Sequence, residues 1–64
     1  MIKGYSLFIP ANEKYPDYQD YVEADSREEA VRMLTIRINQ RISLMEEGKQ
    51  WSEMDIDSLV KEIA

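Results

Sequence analysis

Histidine and cysteine are both absent from this 64-residue chain, and glycine occurs only as Gly4 and Gly48. No imidazole can serve as a general base and no thiol as a nucleophile, and neither a disulfide nor a thiolate metal site can form. Two isolated glycines also cannot build a glycine-rich phosphate loop. No apolar run approaches the ~20 residues needed to span a bilayer. The short apolar run after Lys3 is broken by Pro10, Asn12 and Glu13, unlike a signal peptide. The expectation is a soluble, cytoplasmic chain that is not an enzyme, holds no cofactor or metal, takes no small-molecule substrate and stays off membranes.

Length permits one domain, residues 1–64, and a chain of this size buries only ~60% of its unfolded surface. With no disulfide to compensate, oligomerisation is the remaining route to stability, so a protein partner is expected. Hydrophobic residues make up 44% of the chain and charged residues 33%, enough apolar material to attempt a core. The net charge is -5, unevenly distributed: +1 over residues 1–10, -5 over 11–29, +3 over 30–45 and -4 over 46–64.

The stretch "KGYSLFI", Lys3 to Ile9, alternates Tyr5, Leu7 and Ile9 against Ser6 and Phe8, the signature of a strand. "PANEKYPD" follows, with two prolines, Asn12 and Asp17, and reads as the loop of a hairpin. A second strand, Tyr18 to Ala24, carries acids that suit an exposed edge. Within "YVEADSREEAVRML", Ser26 and Glu29 have the spacing of a capping box, and Asp25, Glu28 and Glu29 place negative charge at the positive end of a helix dipole. This junction is a helix start rather than an anion site, because its own carboxylates occupy it.

The helix is expected from Arg27 to Glu47, stopping at Gly48, with a core stripe of Ala30, Val31, Leu34, Ile38, Ile42 and Met45. Met33, Ile36 and Leu44 project from another side of it. A last amphipathic helix of about three turns is read from the Ser52 cap, Asp55 three residues on, a Trp51–Ile56 staple, and the spacing of Ile56, Leu59, Val60 and Ile63. It either folds back over Met33, Ile36 and Leu44 or docks onto a second chain. The expected fold class is therefore α+β, a small hairpin followed by a long and a short helix (ββαα), with the sheet completed by dimerisation.

The residues with chemical potential are few. Asp17 with Asp20, and Asp55 with Asp57, flank turns or helix starts, where acids cap and solvate, and "DIDSLVKE" lacks the glycine and third ligand of a calcium loop. Of Arg32, Arg37 and Arg41, only the last two share a stripe, while Arg32 is placed to pair with Glu28. At a sequence pI near 4.5, direct nucleic-acid binding is not expected. Tyr5, Tyr15, Tyr18, Tyr21 and Trp51 exceed what one small core requires, and such residues favour interfaces. The candidate interface comprises Tyr18, Tyr21, Met33, Ile36, Leu44 and Trp51, in a homodimer or against another protein. The candidate acidic face comprises Asp17, Asp20, Glu23 and Glu28, which can oppose a basic partner.

In general style, a short acidic α+β chain of this kind resembles the small phage-encoded inhibitors of host defence, such as anti-CRISPR proteins. Over roughly residues 5 to 48, the order strand, loop, strand and then "ADSREEA" opening a long helix resembles the N-terminal part of HicB-type antitoxins. It departs from them in lacking a proline- and glycine-bearing segment between the second strand and the helix. The first resemblance implies a non-enzymatic module that binds and inhibits a host protein. The second implies a regulatory subunit that masks a basic partner surface.

Overall fold

The computed structural model of the chain describes residues 1–11, 13, 16–42 and 50–63, the side chain of Ile42 excepted. Two strands, β1 (Lys3–Ile9) and β2 (Tyr18–Ala24), pair antiparallel with Tyr5 opposite Val22 and Ile9 opposite Tyr18. Their alternation places Tyr5, Leu7, Val22 and Ala24 in the core. Helix α1 (Arg27–Ile42) begins after Ser26, whose Oγ accepts the Glu29 amide at 3.2 Å, while the Ser26 carbonyl accepts the first helical bond from the Ala30 amide at 3.1 Å. Ala30, Val31, Leu34 and Ile38 are buried against the sheet. The expected continuation to Gly48, together with Leu44 and Met45, lies outside the described residues.

Beyond Trp51 the structure departs from the expected ββαα order. A single-turn helix α2 (Glu53–Asp57) is followed by a third strand, β3 (Val60–Ile63), where three helical turns were expected. The Ser52 cap is present, with its Oγ accepting the Asp55 amide at 3.1 Å, and Ile56 is fully buried. The helix stops because its last backbone groups are taken by other partners. Ser58 Oγ donates to the Asp55 carbonyl, and the Leu59 amide closes a tight turn onto the Ile56 carbonyl at 2.9 Å.

From the start of α1, Arg27 donates to the Asp57 and Val60 carbonyls and pairs with the Asp57 carboxylate at 2.7 Å. In a continuing helix the Asp57 carbonyl would accept the amide of Lys61. Here residues 60–63 pair with β1 instead, Leu7 opposite Val60 and Gly4 opposite Ile63. The sheet order is β2-β1-β3, with β1 central. The edge of β1 expected to be left for a second chain is thus filled from within the chain.

Two further placements differ from the sequence reading. Met33 packs against the core cluster rather than projecting away from it. At ~100° per residue it lies on the flank of the buried stripe, whereas Ile36 lies nearly opposite that stripe and is 52% exposed. The end of α1 is tied to the chain before α2 through Asn39, whose side chain bonds both the amide and the carbonyl of Trp51.

Candidate interaction surface

Among the described residues, all helical cover lies on one face of the sheet. Residues of β1, β2 and β3 with core-facing parity meet α1 and α2, while those of opposite parity form an uncovered face. On it stand Phe8, Tyr21 and Ile63, which are 50%, 49% and 47% exposed. Glu23 and Lys61 share this face, because they sit opposite Gly4 and Ser6 in the ladders. An alternating strand hides one set of side chains and presents the other, and three adjacent strands make the presented set contiguous.

Tyr21 lies flat across the central strand. A Cβ placed on Gly4 would come within 2.5 Å of its hydroxyl and 2.9 Å of Cε2, so the absence of a side chain at Gly4 makes room for the ring. The Tyr21 hydroxyl reaches Glu23 Oε2 at 3.4 Å. Phe8 is a ridge between two shallow grooves, one lined by Ser6, Gln19 and Tyr21, the other by Ser6, Pro10, Leu59 and Lys61.

A polar cluster occupies the other side of β2, where it meets α1. The Asp20 side chain is only 9% exposed, yet its carboxylate is fully partnered: Arg37 Nε lies at 2.9 Å, the Tyr18 hydroxyl donates at 3.0 Å and the Tyr21 amide at 2.8 Å. The Arg41 guanidinium sits 6.0 Å from the centre of the Tyr18 ring, at the outer limit of a cation–π contact. Burial, followed by the hydrogen bond to Asp20 and the charge of that carboxylate, pushes the Tyr18 hydroxyl up to about 12; Arg37 and Arg41 oppose the shift. The cluster joins strand to helix and leaves a small cleft lined by Tyr18, Arg37 and Arg41.

The residues singled out from the sequence do not converge on one surface. Tyr21 is on the open face, Tyr18 belongs to the polar cluster, Met33 and Trp51 pack partly buried against the core, Ile36 stands on the outer side of α1, and Leu44 lies outside the described residues. The acids also separate. Asp17 is exposed before β2, Asp20 is neutralised beneath α1, Glu23 is on the open face, and Glu28 on α1 lies 3.9 Å from Arg32.

Missed were Phe8 and Ile63. The alternation of Ser6 and Phe8 against Tyr5 and Leu7 already put Phe8 on the second face, but nothing local shows that this face stays bare. The helical spacing of Ile56, Leu59, Val60 and Ile63 places Ile63 in a helix rather than on a sheet. Among the described residues no group of three or more Asp or Glu could hold a metal ion, and no helix is long and apolar enough to cross a membrane. No family model matches the chain, and neither a curated protein nor a solved structure matches it, so the resemblances to antitoxins and defence inhibitors rest on element order and composition alone.

Proposed function

We propose that this chain is a small acidic, non-enzymatic protein-interaction module whose binding surface is the uncovered face of its sheet. One observation carries the reading: Phe8, Tyr21 and Ile63 are half-exposed in successive rows along one face of a sheet whose other face holds the whole described core. Large apolar side chains grouped on a surface lose free energy to water that a partner can recover, and contiguous patches of this kind mark interaction sites. The inventory agrees, because a chain without histidine or cysteine has few routes to catalysis and ample means of binding. A mask for a basic partner has less support, since Asp20 and Glu28 are paired with arginines and Glu23 faces elsewhere.

Photo-cross-linking in the native host tests this reading. A benzophenone amino acid at position 8 should form discrete protein adducts, whereas the same group at the exposed helix position of Arg32 should not. Equal labelling from both positions, or none from position 8, would overturn it.

A further inference from the structure

We propose that the occupant of the open sheet face is a second copy of this chain, packed face to face about a two-fold axis that runs along β1. This inference rests on reading that face as a binding surface and adds the partner and the geometry. It starts from how charge is laid out. On the open face β2 contributes Glu23 and β3 contributes Lys61, on opposite sides of the neutral Gly4, Ser6 and Phe8 of β1.

Two such faces can meet about an axis parallel to the strands or about one across them. The parallel axis lays β2 of one copy over β3 of the other, so that Glu23 and Lys61 attract twice across the interface. The perpendicular axis lays β2 over β2 and β3 over β3 with the rows reversed, so that an axis at the row of Ser6 sets Lys61 against Lys61 and leaves Glu23 facing Gln19, with no opposite charges across the interface. Glu23 and Lys61 lie in ladder rows two residues apart, an offset of ~7 Å that such long side chains span diagonally. The first arrangement is thus the one that brings opposite charges within reach of each other.

The shape of the face agrees. A strand-parallel axis keeps each residue of β1 in its own row, so the Phe8 rings of the two copies meet in one row. Each ridge is flanked by grooves into which the opposing ring can slide for offset stacking. Tyr21 on β2 faces the β3 of the partner copy, where Ile63 is the apolar side chain. Lys61 of the partner copy stands in the row of Tyr21 and Ile63 one row further on, on the side toward which the Tyr21 ring leans over Gly4.

Size sets the strength. Three strands ~4.8 Å apart and about seven residues long give a face well below the ~800 Å² per partner of a standard interface. The expected dimer dissociates in the micromolar range rather than the nanomolar.

Sedimentation equilibrium over a series of concentrations, with four variants, is the test. Phe8→Asp should leave only the 7.6 kDa monomer with an unchanged far-UV spectrum and, at concentrations too low for the dimer to form, an unchanged melting temperature, because Phe8 is half in solvent and outside the core. Glu23→Lys and Lys61→Glu should each weaken association tenfold or more by setting like charges opposite one another. The double reversal should restore it. A wild-type chain that stays monomeric at millimolar concentration would overturn the dimer, as would a dimer indifferent to Phe8→Asp or a double reversal no better than the single ones. If the wild-type chain is monomeric while position 8 still cross-links another protein, the dimer alone falls; if position 8 captures nothing, the interaction surface falls with it.

Discussion

Asn39 on α1 and Trp51 ahead of α2 are joined by a two-way amide contact. Asn39 Nδ2 donates to the Trp51 carbonyl at 3.0 Å, and Asn39 Oδ1 accepts the Trp51 amide at 2.7 Å. The side chain acts as a short piece of strand, satisfying both backbone groups of a partly buried residue that has no ladder of its own. This contact fixes where the chain re-enters the fold before α2.

Replacing Asn39 by alanine leaves a partly buried donor and acceptor unsatisfied, at an expected cost of ~1–3 kcal/mol. Trp51 is the chain's single tryptophan, so its fluorescence reports directly on the affected site during urea unfolding. An unchanged midpoint would show that water replaces the amide at no cost.

Arg27 should matter beyond its ion pair. The pair with Asp57 is half-exposed and worth little, but the two carbonyl bonds hold the turn between α2 and β3. Arg27→Ala should destabilise by ~1–2 kcal/mol and speed amide exchange selectively over residues 60–63. Arg27→Lys should recover only part of this, since an ammonium lacks the guanidinium fork. Uniform acceleration across the whole sheet would argue against a local clamp.

Gly4 and Tyr21 should be energetically coupled. In a Tyr21→Ala background the ring that crowds Gly4 is gone, and Gly4→Ala should stabilise the strand by ~0.5–1 kcal/mol through reduced backbone freedom in the unfolded chain. In the parent chain the new methyl displaces the Tyr21 ring, and the gain should shrink or reverse. A double-mutant cycle measures the difference, and strict additivity would mean that the ring does not lie over Gly4 in solution.

Alkaline pH should expose the Tyr18 environment. Its hydroxyl is raised from 10.0 to about 12 in the folded chain, so between those values the unfolded state loses this proton first. The folded state then binds more protons than the unfolded one, and stability falls as pH rises. The contribution of Tyr18 is fully present below pH 10.0 and is lost progressively up to about 12. Tyr18→Phe should flatten this part of the stability profile and remove one late-titrating tyrosine from the ultraviolet absorbance titration. A wild-type profile identical to that of the variant would contradict the shift.

Local chemistry was legible wherever a few neighbouring residues suffice. The alternation of Tyr5, Leu7 and Ile9, the start of α1 at Ser26, and the cap at Ser52 each depend on side chains within four positions of the backbone groups they organise. They stand where the sequence places them. The stripe from Ala30 to Ile38 is equally local, because helical period alone assigns it to one face.

Residues 56–63 read as helix from the sequence, and the structure turns their second half into a strand. Ile56, Leu59, Val60 and Ile63 fit a helical stripe, while Val60 to Ile63 fit a strand as well. The choice belongs to partners thirty or more residues away: β1 offers an unpaired edge, and Arg27 takes the carbonyls that would carry the helix onward. The same holds for Asp20. Its sequence position reads as an exposed edge acid, and only the arrival of Arg37 on α1 and the turn of Tyr18 make it a neutralised joint. The bare sheet face is the plainest case, because alternation puts Tyr21 on the same side as Glu23 and Phe8 on the same side as Ser6, while only the pairing of the three strands brings these and Lys61 onto one face. Which side the helices cover is settled by where β2 leads into α1 and where α2 packs, a matter of long-range burial that no short window of sequence contains.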